Sequence, residues 1–119
     1  LASLVVMNHS GHKGLYLSYR PKYQKSSSKM IKLLDPDQIL GRWLQMTFEV
    51  KYKKDNRGYI QVVITDRKGN ILAHIRKYII TWRSQIKDVN GIFGIYRRNE
   101  EGNNENKFSF IAPQVYRSI

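Results

Sequence analysis

Residues 43–65 read WLQMTFEVKYKKDNRGYIQVVIT. From Leu44 to Tyr52 the odd and even positions part cleanly. Leu44, Met46, Phe48, Val50 and Tyr52 share one parity, and Gln45, Thr47, Glu49 and Lys51 share the other. A period of two marks a strand with one face turned to a core, so the apolar parity is expected to point inward. Asp55-Asn56-Arg57-Gly58 follows as a hairpin turn signal, with Gly58 available for a positive φ. Beyond it Ile60, Val62 and Ile64 alternate with Tyr59, Gln61, Val63 and Thr65. Strand, tight turn and strand predict an antiparallel pair.

Outward from this hairpin the same pattern continues. Asp66-Arg67-Lys68-Gly69-Asn70 is a second turn signal, after which Ile71, Ala73 and Ile75 alternate with Leu72, His74 and Arg76. Upstream, Leu4 to Asn8 and Leu15 to Arg20 read as strands. Downstream, Ile92 to Arg97 and Phe108 to Ala112 do the same. One short helix is expected at about Asp35 to Leu40, with Asp35 as N-cap and Pro36 in the first turn. Ser26, Ser27 and Ser28, flanked by Lys22, Lys25 and Lys29, read as a mobile basic loop. The stretch from Glu100 to Lys107 reads as a polar surface loop. The expected fold is all-β, an antiparallel sandwich or barrel.

The 119 residues suffice for one domain with a modest core, and 41% hydrophobic with 25% charged residues is globular composition. No apolar run approaches the ~20 residues of a membrane span, so no membrane partner is expected. The opening LASLVVM is too short for a signal peptide and lacks a basic leader, and no initiator Met precedes it. The expectation is a processed product or a piece of something larger.

The absence of cysteine excludes disulfides, thiolate metal sites and cysteine nucleophiles. His9 and His12 form a close pair without an evident third ligand, so no metal and no cofactor is expected. No nucleophile elbow and no glycine-rich phosphate loop occurs. The charge is the strongest bulk signal. Lys and Arg number 21 against 9 Asp and Glu, a formal +12. A field of that size gathers polyanions: nucleic acid, anionic membrane or acidic polysaccharide.

Three stretches together resemble the polysaccharide lyases of the heparin lyase I and alginate lyase type. The first is GRWLQMTFEVKYKKDNRGYIQVVI, Gly41 to Ile64, similar to the strand that follows a Gly-Lys-Trp start in that family. The second is NGIFGIYRR, Asn90 to Arg98, similar to its Tyr-Phe-Lys-x-Gly-x-Tyr strand. The third is LVVMNHSGHKGLYLSYR, Leu4 to Arg20, similar to a shortened Gln-Trp-His-Gly strand and its successor. Ile92 stands where the family has Lys, and Asn8 where it has Trp. The likeness spans only the later part of the family's domain, whose earlier strands would precede Leu1.

The resemblance implies a concanavalin-like jelly roll, possibly a partial domain, secreted or periplasmic, that cleaves a uronate-containing polysaccharide by β-elimination. It makes Tyr96 the first catalytic candidate. A neighbouring cation would favour its phenolate, and Gly94, two residues away, would let a sugar approach the sheet. His9 is the second, as base or carboxylate partner, because an imidazole titrates near neutral pH. Asn8, Arg20, Arg76 and Arg97 are candidates for gripping carboxylate or sulfate, since a guanidinium matches such anions with a planar fork. Any one of these arginines alone reads more readily as a solvated charge. Of Tyr16 and Tyr19, one is expected in the core and the other free to stack on a sugar; Trp43 and Trp82 carry the same ambiguity. Competing readings are a non-catalytic carbohydrate-binding jelly roll and a basic β-rich nucleic-acid module. The last is disfavoured because no nucleic-acid-binding motif appears. The sequence leaves the particular polysaccharide and the oligomeric state open.

Overall fold

A computed structural model describes residues 2–9, 11–21 and 28–82, with His9 described by its backbone only. The chain divides into two units, Leu1–Ile86 and Lys87–Ile119, and every described residue belongs to the first. The strands expected at Ile92 to Arg97 and Phe108 to Ala112 lie outside the described residues, as do most of the serine-lysine loop and the Glu100 to Lys107 stretch.

The first three strands are β1 (Ala2–His9), β2 (His12–Tyr19) and β3 (Lys29–Leu34), followed by a four-residue helix α1 (Pro36–Ile39). The last three are β4 (Gln45–Lys51), β5 (Tyr59–Thr65) and β6 (Ile71–Tyr78). They form two antiparallel sheets, ordered β1-β2-β3 and β4-β5-β6, so every described strand pairs with its neighbour in sequence. The β1–β2 ladder closes at His9 opposite His12, leaving residues 10 and 11 between the strands. The helix begins as its sequence implies. The Gln38 side chain accepts the Asp35 backbone N–H at 2.9 Å, while Asp35 pairs with Lys32 at 2.6 Å.

Strand β3 was not legible in the pattern. Its Lys29-Met-Ile-Lys-Leu-Leu sequence lacks alternation and adjoins a run rich in serine and lysine. A register shift explains part of this. Tyr16 faces Lys32 but Leu15 faces Leu34, so Leu33 is passed over and two consecutive leucines both reach the core.

One apolar cluster joins the sheets. Leu15, Leu17, Tyr19 and Leu34 come from the first, and Ile60, Val62, Ile64 and Ile79 come from the second or its continuation. Two sheets whose inner faces share one core make a two-layer all-β unit. The Ile60, Val62, Ile64 face is the core face, as the alternation in β5 predicts.

Three expectations about burial need correction. Met46 and Phe48 stand opposite Ile64 and Val62, on the predicted face, yet remain 40% and 41% exposed. Among the described residues on that side, Val50 of β4 and Leu44 just before it pack against the core, whereas Met46 and Phe48 stay open to solvent. Ile71 is exposed because a register shift between Ile64 and Thr65 takes it out of the inward set. Neither Tyr16 nor Tyr19 is free to stack on a sugar, for both are buried, at 6% and 8% exposure.

The two turns differ in what they ask of glycine. Gly69 adopts φ +84°, and Asp66 closes that turn by accepting the Lys68 and Asn70 backbone N–H groups at 2.9 Å each. Gly58 does not take the positive φ expected of it. It is required because the chain after β6 crosses directly over it. A Cβ there would stand 2.5 Å from Thr81 Oγ1 and 2.6 Å from the Ile79 carbonyl. That crossing is firmly held. Thr81 is buried, donates to the Lys51 carbonyl at 2.6 Å and accepts the Lys53 N–H at 2.8 Å.

Candidate functional site

The outer face of β4-β5-β6 carries the most organised polar surface among the described residues. Its side chains are those that alternation turns away from the core: Glu49 and Lys51 on β4, Tyr59 and Gln61 on β5, Arg76 and Tyr78 on β6. Cross-strand register gathers them into two rows. Lys51, Tyr59 and Tyr78 stand side by side, and Glu49, Gln61 and Arg76 form the next row.

Arg76 is the centre of this patch. Its guanidinium carbon lies 4.3 Å from the Tyr59 ring centroid. Its Nε donates to Gln61 Oε1 at 2.7 Å, and one Nη donates to the Tyr78 hydroxyl at 3.4 Å. These contacts hold a planar cation on an open face while using two of its five N–H groups. The bond to Tyr78 also secures the positive charge, raising the Arg76 pKa above its ordinary value. The Tyr59 and Tyr78 rings meet edge to face at 5.8 Å, and Tyr78 is 61% exposed. Lys51 adds a second cation, with Nζ 6.0 Å from the Tyr59 centroid.

Tyr59 donates its hydroxyl to the Glu49 carboxylate. That bond, more than burial, raises the phenol pKa, because ionisation would set two negative charges together. Tyr59 is therefore a hydrogen-bonding and stacking group here and a poor base. Chemically the patch can bind an anion through Arg76 and offer an aromatic surface beside it.

The sequence-predicted candidates are not all gathered here. Arg76 sits at the heart of the patch. Asn8 is exposed on β1, opposite Lys13, and the backbone of His9 is opposite His12. Arg20 lies just past the far end of β2, where it donates to Ser28 Oγ at 3.4 Å. Arg20 lies seven residue rises beyond Lys13 along extended chain, roughly 23 Å, so Asn8 and Arg20 do not meet on one sugar. Tyr96 and Arg97 lie outside the described residues. Trp82 is half-buried and packs edge to face on Tyr52 at 5.7 Å, whereas Trp43 is exposed. Among the described residues no group of three or more metal-binding side chains converges.

Comparison with protein families, with curated proteins and with solved structures yields no match. The patch residues that the sequence reading did not single out as functional are Glu49, Lys51, Tyr59, Gln61 and Tyr78. Alternation alone excludes Tyr59, Gln61 and Glu49 from the core; what pairs them with Arg76 and Tyr78 is strand register.

Proposed function

We propose that this chain binds an acidic, uronate-containing polysaccharide, and that it is the later part of a polysaccharide lyase of the heparin lyase I and alginate lyase type. The observation that carries the reading is Arg76, seated on Tyr59 between Gln61 and Tyr78 on an open face that also carries Lys51 beside the Tyr59 ring. A carboxylate or sulfate matches the guanidinium fork, and the exposed Tyr78 ring suits the flat face of a sugar. The formal +12 brings such a polyanion to the surface. The hairpin of β4 and β5 adds to the reading, because it follows the Gly41-Arg42-Trp43 start that the resemblance rests on. On this reading the two sheets are part of a concanavalin-like jelly roll, and the protein works outside the cytoplasm.

β-Elimination requires a base to take the C5 proton of a uronate whose carboxylate is neutralised. The C4–oxygen bond breaks, a C4=C5 double bond forms, and the departing oxygen takes a proton from an acid. Tyr96 and His9 are the proposed acid–base pair, with Asn8, Arg20, Arg76 and Arg97 contacting the anionic groups along the chain.

The test is the ultraviolet absorbance of unsaturated uronate on heparin, heparan sulfate, alginate and glucuronan. A rise on one substrate, lost in Tyr96→Phe with binding retained, is the expected result. Equal activity in the variant removes Tyr96 from the mechanism. A second reading, a non-catalytic carbohydrate-binding module, is favoured by Tyr59, since the most organised phenol of the described face is kept protonated by Glu49. Salt-sensitive binding with no absorbance rise on any substrate selects it.

A further inference from the structure

At the end of the first sheet opposite the β1–β2 turn, the strands open into a shallow hollow of about 230 Å³. It is lined by Ala2, Ser3, Ser18, Tyr19, Arg20 and Ser28. Register explains the gathering. Ser3 and Ser18 are directly opposed across β1 and β2, so both hydroxyls rise from the same face. Tyr19 faces Lys29, which sets Arg20 and Ser28 on either side of the strand end, where Arg20 Nε donates to Ser28 Oγ at 3.4 Å.

The chemistry of this lining is one-sided. Among the described residues it holds a guanidinium, three serine hydroxyls and the Tyr19 phenol, and no carboxylate. Among the described residues no carboxylate pairs with Arg20; the ion pairs are Lys32 with Asp35 and Arg57 with Asp55. Asp35 follows Leu34, at the other end of the β2–β3 ladder. A cation whose nearest polar company is hydroxyl groups retains most of its donors for an external acceptor. Serine hydroxyls are short, rotatable donors that complete the coordination of a compact oxyanion. The hollow is too small for a drug-sized ligand but admits one anionic group of a larger chain.

We propose that this hollow is an oxyanion subsite, in which Arg20, Ser3, Ser18 and Ser28 hold a single sulfate ester or uronate carboxylate of the polysaccharide. The assignment rests on the proposed function for its natural ligand and on the hollow's own chemistry for the anion. It makes Arg20 a binding residue that acts independently of Arg76, which lies on the other sheet.

The test uses the full chain, sulfate at constant ionic strength, a heparin-derived oligosaccharide and an unsulfated alginate oligosaccharide. The Arg20 Nε–H resonance is followed during each titration. Sulfate is expected to shift it saturably. Arg20→Gln is expected to weaken oligosaccharide binding about tenfold, the loss of one charge-assisted contact. Arg20→Lys keeps the charge without the fork and should recover only part of it. Tighter binding of the heparin fragment assigns the group to a sulfate ester; equal or tighter binding of the alginate fragment assigns it to a carboxylate. If Arg76→Gln weakens binding and Arg20→Gln does not, the subsite is overturned and the proposed function stands. If neither oligosaccharide binds, the proposed function fails, and the sulfate titration then decides alone. A saturable shift keeps the oxyanion site, and an unmoved resonance removes it.

Discussion

Arg76 is the residue on which the functional reading turns. It is exposed, so Arg76→Gln is expected to fold normally while losing affinity for an acidic oligosaccharide about fivefold to tenfold at low salt. The loss should shrink as salt rises, because screening removes the same electrostatic contribution from the native protein. Titration calorimetry at two ionic strengths checks this; a variant that binds as tightly as the native chain in low salt rules the patch out. The importance of this arginine was only half visible beforehand. Its type and its position on a strand marked it as one of four possible anion contacts. Its seat on Tyr59 and its bonds to Gln61 and Tyr78 depend on which residues stand opposite across β5 and β6, and no single strand encodes that.

At the scale of elements, the β4–β5 hairpin rests on two devices. Asp55 accepts the Arg57 guanidinium at 3.0 and 2.7 Å and the Arg57 backbone N–H at 2.9 Å. These bonds, the side-chain ones foremost, lower the carboxyl from its usual 3.8 to about 2. A folded-state value below the unfolded one stabilises the hairpin fully above the unfolded value, and that contribution fades as pH falls toward about 2. The Asp55 carboxyl resonance should therefore titrate near 2, and the urea midpoint of Asp55→Asn should converge on that of the native chain as the pH is lowered through this window. A resonance titrating at the ordinary carboxylate value contradicts the bond. The second device is Gly58 beneath Thr81. Gly58→Ala is expected to cost about 1–3 kcal/mol by overpacking, read as a lower denaturation midpoint. Thr81→Ser, which keeps the hydroxyl, should not relieve it, because the Ile79 carbonyl also blocks the site.

For the whole unit, stability rests on one core shared by two three-stranded sheets. Ile60 is fully buried at the centre of that core. Ile60→Ala should cost about 2–5 kcal/mol, a large share of the ~5–15 kcal/mol typical of a folded domain. Chemical denaturation checks it, and a change below 1 kcal/mol would show that the two sheets do not depend on a common core. The same core takes up Val50 of β4 but leaves Met46 and Phe48 40% and 41% exposed.

Local physics was enough to specify the all-β class, the inward face of β5, the short helix behind Asp35 and Pro36, and the second turn, where Gly69 must reach a positive φ. Each follows from alternation, capping or backbone sterics within a few residues. The tertiary structure alone decided the rest. Strand β3 emerges only by pairing with β2, Gly58 is constrained by a chain segment more than 20 residues away, and Met46 and Phe48 of β4 stay partly exposed on the apolar face. The candidate site belongs to that second group as well, because Tyr59, Gln61, Arg76 and Tyr78 become one surface only through the register of β5 against β6. Register is a property of two strands together, and periodicity within one strand cannot carry it.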